Sequence, residues 1–553
     1  MKWAADQCGL WMRARTLKSI VESRPPKSGR AARQEQRGLL HGLSSGCAAA
    51  RLHHRAVRPG GRPPPRAPGH GERAGRPGAS PVAATRLPAG SRRRPDEGED
   101  ISCHIHSLMS MRDAARVACV SRAFARSWRC LPNLDFSEES LGINRSTCKK
   151  DEKLGDLTSK IDWILKNHSG IGIKKLIIQV GSVYSRDSSH LAHLDSWLQC
   201  AVKPGIEELI VNLSSMNAKY NFPCELLSSG TGDSLRYIYL ASCNFHPTVR
   251  IGCLKSLTRL QLCMVNITEN ELRCLLSISL GLERLELRHC STLKCLKVPC
   301  LQRLSYLDVM TCTGLQVIES KAPNLSSIRF EGDLYVQLSL GEPLQIKQLY
   351  RLCNDAAFYA RTELPSSMPN LERLIIHSDT EMVNTPMVPS KFYHLKYLSI
   401  ALGGQTYDYL SLVSFFDASP FLETFILNAL RERTERATIF GDPSGLRMMP
   451  EHRHDKLKCV KIINFSSVKT LVELTCHIVE SATALECLTL DTTSGSPRCS
   501  VNRLGKCFLM RRETLMEAHR ALKAVQTYIE LKVPSKVELN VLEPCSRCHA
   551  LDL

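Results

Sequence analysis

Three stretches of the chain, "LRYIYLASC" (235–243), "LERLELRHC" (282–290) and "LSYLDVMTC" (304–312), are copies of one nine-residue phrase, L-x-x-[LI]-x-[LV]-x-x-C. Looser copies begin at Leu257, Leu325, Leu371, Leu395, Leu422, Leu457 and Leu485, and two earlier ones at Ile173 and Ile206. From 235 to 325 the first leucines lie 22, 25, 22 and 21 residues apart, and thereafter 46, 24, 27, 35 and 28. A weaker unit, "IKQLYRL", near Ile346 divides the widest gap. A phrase of this length cannot bury its own apolar side, so each copy must stack on the next.

The spacing and the phrase resemble a leucine-rich repeat, in which each unit supplies one short strand and a return segment of variable length. Period-2 alternation turns the Leu, Ile and Val of each phrase inward and leaves residues such as Arg236, Tyr237 and Tyr239 facing the concave side. The terminal cysteine sits where such repeats close the turn with Asn or Cys. Cys243, Cys290 and Cys312 are therefore expected as buried thiols. The drift in unit length predicts an irregular solenoid.

The charge of +19 and pI of about 9.1 suggest a polyanionic partner until the charges are located. Residues 1–94 hold 20 Lys and Arg but only Asp6, Glu22, Glu35 and Glu72, while the rest of the chain carries 53 bases against 50 acids. The body is thus nearly neutral. The N-terminal stretch, rich in Arg, Pro, Gly and Ala, lacks any apolar period and is expected to be disordered. It fits a solvated tail, an upstream extension, a transit-type leader or a nucleic-acid-binding arm. No secretory core and no run of roughly 18 apolar residues is visible, which predicts a protein of the cytoplasm, the nucleus or both.

Between these regions lies "MRDAARVACVSRAFARSWRCLPNL" (111–134). On a helix Val117, Val120, Phe124 and Trp128 share one stripe, while Arg112, Arg116, Arg122, Arg126 and Arg129 fall mostly opposite. Ile101, Ile105 and Leu108 repeat the helical spacing upstream, and Ser110 is a candidate N-cap. So few short helices make a core that ordinarily needs a partner.

The stretch "EDISCHIHSLMSMRDAARVACVSRAFARSWRCLPNLDF" resembles an F-box, through Asp100, Ile101, Ile105, Leu108, Met109, Arg112, Asp113, Val120, Ser121, Arg122 and Phe124. The tail "MEAHRALKAVQTYIELKVPSKVELNVLEPCSRCH" (516–549) is similar to the FBD-type C-terminal segment. From about 95 to 549 the chain therefore resembles a plant F-box/FBD/leucine-rich-repeat protein. The expected fold is α/β: a disordered basic region (1–94), a helical F-box (95–136), a helical linker or cap (137–170), a parallel-strand solenoid (171–484) and an FBD-like segment (485–549). The resemblance implies a non-catalytic substrate receptor of an SCF ubiquitin ligase. Its F-box would dock a Skp-type adaptor and through it a cullin–RING core, and its repeats would hold a protein target. Ile101, Ile105, Leu108, Met109, Val120, Ser121, Phe124 and Trp128 would form the adaptor contact. Where the family opens on Leu-Pro, this chain has Glu97-Gly98. Losing one buried leucine predicts roughly 2 kcal/mol weaker docking. The alternative is an interaction protein without ubiquitin chemistry that uses the repeat face, or nucleic-acid binding confined to residues 1–94.

Other motifs carry little. "CSRCH" (545–549) matches a haem-attachment string, and Cys545 with Cys548 could be half of a zinc site, but no second half is evident nearby. "CHIH" (103–106) and "HLAH" (190–193) are isolated pairs. No phosphate-binding loop, nucleophile elbow or His-Glu-x-x-His string occurs, so no catalytic residue, cofactor or metal is assigned.

Overall fold

The computed structural model describes residues 104–549, apart from 106, 121–126, 144–149, 170–171, 181–190, 214–219, 229, 248–250, 253, 333–335, 342–344, 405–406, 431–437, 442–444, 448, 451–452, 494–498 and 500–505. The basic region 1–94, the Glu97-Gly98 opening, Ile101, Ser121 and Phe124 lie outside the described residues.

Among the described residues fifteen parallel strands form one continuous sheet, each beside the next of its strands in chain order, from Asn133–Ser137 to Glu538–Leu542. Every L-x-x-[LI]-x-[LV] phrase supplies one strand, and the weak unit at Ile346 supplies Gln348–Leu352. The alternation is as expected. In Tyr237–Ala241, Ile238 and Leu240 are buried while Tyr237 and Tyr239 are half-exposed. Register is one-to-one between neighbours, for example Ile238 with Leu260 and Leu240 with Leu262, so the apolar positions stack into columns along the core.

The turn-closing cysteines Cys243, Cys290 and Cys312 are all buried. The thiols of Cys290 and Cys312 lie 3.8 Å from the carbonyls of Leu262 and Leu287, one repeat earlier. Burial pushes the Cys243 thiol up to about 12, which keeps it protonated and inert. In each of these three units the residue just before the cysteine, Ser242, His289 or Thr311, has φ between 54° and 59°. That left-handed step bends the chain out of the sheet. Its backbone N–H donates to the next strand, as His289 does to the Met310 carbonyl at 2.9 Å.

The return path varies along the solenoid. Units of 21 and 22 residues between Leu282 and Ile346 return through short strands, Cys295–Val298, Val317–Ser320 and Gln337–Leu340, which pair into a second sheet. Several longer units, 257–282, 346–371 and 457–485 among them, return through helices; a helix advances about 1.5 Å per residue against about 3.3 Å for a strand and needs more chain to span the same gap. Among the described residues the helices of ten residues or more are α1 (Met111–Val120), α2 (Lys150–Asn167), α3 (Leu191–Ala201), α4 (Glu269–Ile278), α5 (Lys469–Ser481) and α6 (Arg512–Ala524). A reciprocal capping box starts α4: the Thr268 side chain accepts from the Glu271 backbone and the Glu271 carboxylate accepts from the Thr268 backbone at 2.8 Å.

Strands continue past both expected solenoid boundaries, 171 and 484. "LPNLDF" (131–136) fits the phrase with phenylalanine in its last apolar place, and Leu131, Leu134 and Phe136 are all buried. At the other end, Glu538–Leu542 of the FBD-like segment pairs with Cys487–Asp491. The segment thereby completes the sheet.

Candidate functional site

The N-terminal helical element is capped and anchored locally. The Ser110 hydroxyl accepts the Asp113 backbone N–H at 3.1 Å and donates to its carboxylate at 2.7 Å. That bond, first among several causes, holds the Asp113 carboxyl below its ordinary value. The buried side of α1 is set by Met111 and Ala114, with Val117 only half-buried. The apolar stripe thus begins two turns earlier than the Val117 to Trp128 spacing suggests, because α1 packs its first turns on the start of the solenoid. Arg112 and Arg116 are exposed, and Arg116 pairs with Asp113 at 3.2 Å. The Asn133 amide donates to the Ser107 carbonyl at 3.2 Å and Arg129 Nε to the Asn167 carbonyl at 3.0 Å. These bonds tie the element to the first strand and to α2.

Among the residues expected to meet an adaptor, Ile105 is 37% and Leu108 77% exposed. They are apolar groups presented to solvent. Met109 and Trp128 are half-buried and pack against the chain's own core. Val120 ends α1. An apolar groove of about 610 Å³ runs between α1 and α2, walled by Ala115, Cys119, Trp128, Leu141 and Trp163 with Lys160 at its edge. Trp163, 59% exposed, was not singled out from the sequence. Its signal there is an aromatic residue on the polar side of an amphipathic helix.

The open side of the main sheet carries a second surface. Four arginines stack on tyrosines, and each pair joins register partners on adjacent strands. The distances from guanidinium carbon to ring centre are 4.9 Å for Arg259 on Tyr237, 4.0 Å for Arg284 on Tyr306, 4.4 Å for Arg329 on Tyr350 and 3.5 Å for Arg373 on Tyr397. Two acids lie beneath them. Glu286 is 3% exposed and Asp308 fully buried, although both occupy outward strand positions. Arg259 reaches Glu286 at 2.8 Å, and Arg288 reaches Asp308 at 2.6 Å and Glu286 at 3.2 Å. Burial raises the Asp308 carboxyl despite Arg288 and Arg329 beside it. The arginines are about one-third exposed or less, held by acids below and aromatic rings beside.

His104, from "CHIH", is exposed, and His193, from "HLAH", lies against Trp197 at 6.1 Å between ring centres. Cys103 and His190 fall outside the described residues. Cys545 and Cys548 stand with Cys499 and Cys507, which sequence reasoning did not connect to them.

The family model described as the leucine-rich-repeat domain of At1g61320/AtMIF1 matches residues 164–546. FBD-associated F-box protein At5g56380 of Arabidopsis thaliana is 21% identical over 407 residues, covering 69% of this chain and 89% of that protein. F-box/LRR-repeat protein At4g14096 of the same plant is 23% identical over 397 residues, covering 68% and 81%. A crystal structure of an internalin from Listeria monocytogenes is similar at 14% identity and a TM-score of 0.29, covering 60% of this chain and 81% of that one.

Proposed function

Because the chain belongs to the At1g61320/AtMIF1 leucine-rich-repeat domain family, within the plant F-box/FBD/leucine-rich-repeat proteins, we propose that it is the substrate-recognition subunit of an SCF-type ubiquitin ligase. The observation that carries this reading is the pair of exposed apolar residues, Ile105 and Leu108, on a small helical element anchored to the first strand. Ile101, Met109, Val120, Ser121, Phe124 and Trp128 complete the proposed contact with a Skp-type adaptor. The sheet's open side, with its stacked arginines and tyrosines, is the proposed target-binding face, since these two residue types dominate protein–protein hot spots.

In this role the chain performs no bond chemistry. It raises the effective concentration of a target's lysines at a ubiquitin-charged enzyme. The working compartment under this reading is the cytoplasm, the nucleus or both. Among the described residues no helix is long and apolar enough to cross a membrane.

Proximity labelling in plant cells tests the assignment. The full chain fused to a labelling enzyme is expected to mark a Skp-type adaptor and a cullin, together with proteins that accumulate only when the proteasome is inhibited. Labelling of neither adaptor nor cullin above a control fusion would overturn it.

A further inference from the structure

At the C-terminal end of the solenoid, four thiols converge from two segments far apart in the chain. Cys499 and Cys507 belong to the connection between the strand Cys487–Asp491 and α6, and Cys545 and Cys548 follow the last strand, Glu538–Leu542. All four sulfurs lie within 4.8 Å of one another, with Cys499 Sγ and Cys545 Sγ 3.7 Å apart. None is joined in a disulfide.

The geometry is that of a tetrahedral cage. Four sulfurs at about 2.3 Å from a central Zn²⁺ stand about 3.8 Å from each other, whereas a disulfide would draw a pair together to about 2.05 Å. A cage this tight holds one ion. A cluster of several irons would keep its thiolates further apart.

The surrounding backbone is arranged to hold the sulfurs in place. The N–H groups of Cys548 and His549 donate to the Cys545 carbonyl at 3.2 and 2.8 Å, closing the turn that brings both cysteines of C-x-x-C to one side. The Cys499 N–H donates to Cys507 Sγ at 3.3 Å, a bond that strengthens once that sulfur is a thiolate. His549 Nε2 lies 2.8 Å from the Phe508 carbonyl, so the imidazole pins one half of the cage to the other and is engaged away from the sulfurs. All four cysteines are only partly buried, which leaves an ion a path in.

We propose that Cys499, Cys507, Cys545 and Cys548 bind a single structural Zn²⁺. Binding exchanges the thiol protons for four Zn–S bonds, releases those protons to solvent and transfers no electrons. The site clips Cys499 and Cys507 to the tail beside the last strand, whose outer edge no further repeat pairs among the described residues. A solenoid needs such a cap at its open end, and here a metal supplies it without a hydrophobic core.

The full chain, purified under reducing conditions and dialysed free of loose metal, is expected to retain about one zinc per molecule by mass spectrometry. Titrating the metal-free chain with Co²⁺ is expected to give the intense thiolate charge-transfer and visible bands of tetrahedral sulfur coordination. Cys545→Ser with Cys548→Ser should abolish both signals, and Cys459→Ser, an exposed thiol outside the cage, should leave both intact. Should the double variant fail to fold, the Co²⁺ titration of the unsubstituted chain decides alone. Absence of retained zinc together with absence of the cobalt bands would overturn the proposal, as would recovery of these four cysteines as two disulfides.

Discussion

Asp308 and Arg288 lie one strand apart, with a carboxylate oxygen 2.6 Å from the guanidinium, and Asp308 is fully buried although its strand position points to the open side of the sheet. Arg288 and Arg329, from the strands on either side, cover it. Removing Arg288 alone leaves a buried carboxylate short of its main partner. Arg288→Ala is therefore expected to cost about 3 kcal/mol, and Arg288→Ala with Asp308→Ala clearly less than the sum of the two single losses. Urea midpoints of the four proteins measure the coupling. Additive losses would mean that the pair does not act as a unit.

The repeats touch backbone to backbone at Gly281, where a Cβ would stand 2.3 Å from the Lys255 carbonyl oxygen. Backbone cannot step aside as a side-chain tip can. Gly281→Ala is expected to lower stability by about 1–3 kcal/mol. Gly155→Ala, within α2 and with open space around its Cα, should raise it by about 0.5–1 kcal/mol through helix propensity. Melting temperatures moving in opposite directions check both.

Glu381 is fully buried and accepts the Ala357 N–H at 2.8 Å. Burial, opposed by that bond, raises its carboxyl from 4.5 to about 7. A raised carboxyl favours the folded state in its protonated form. Its contribution is complete below the unfolded value and fades as pH climbs through about 7. Stability of the native chain relative to Glu381→Gln should thus fall by roughly 3 kcal/mol between pH 4 and 8. Parallel pH profiles for the two proteins would show that Glu381 does not titrate in this range.

The strands, the buried turn cysteines, the divided gap at Ile346 and the Ser110 cap are all legible in the sequence, because each depends on local spacing. Strand 133–137 is marked too, by Leu131, Leu134 and Phe136, but these residues fall inside the stretch that resembles an F-box. The buried acids are not legible there. Glu286 and Asp308 occupy outward positions, and they are covered by Arg259, Arg288 and Arg329, which pair with them across adjacent strands. The same holds for the α1–α2 groove and its Trp163, and for Cys499 and Cys507, which meet Cys545 and Cys548 only because the solenoid returns its last strand beside them. Contacts between distant units leave no mark in a nine-residue phrase.

The central claim rests on the exposed apolar pair of the helical element, and a binding isotherm of a purified Skp-type adaptor against the full chain tests it most directly. Burying Leu108 contributes about 1.5–3 kcal/mol. Leu108→Asp is therefore expected to weaken a saturable one-to-one interaction at least tenfold, because about 1.4 kcal/mol corresponds to a factor of ten. Leu531→Asp, a similarly exposed leucine in the C-terminal segment, should bind as the unsubstituted chain does. No binding by the unsubstituted chain, or equal binding by Leu108→Asp, would contradict the assignment.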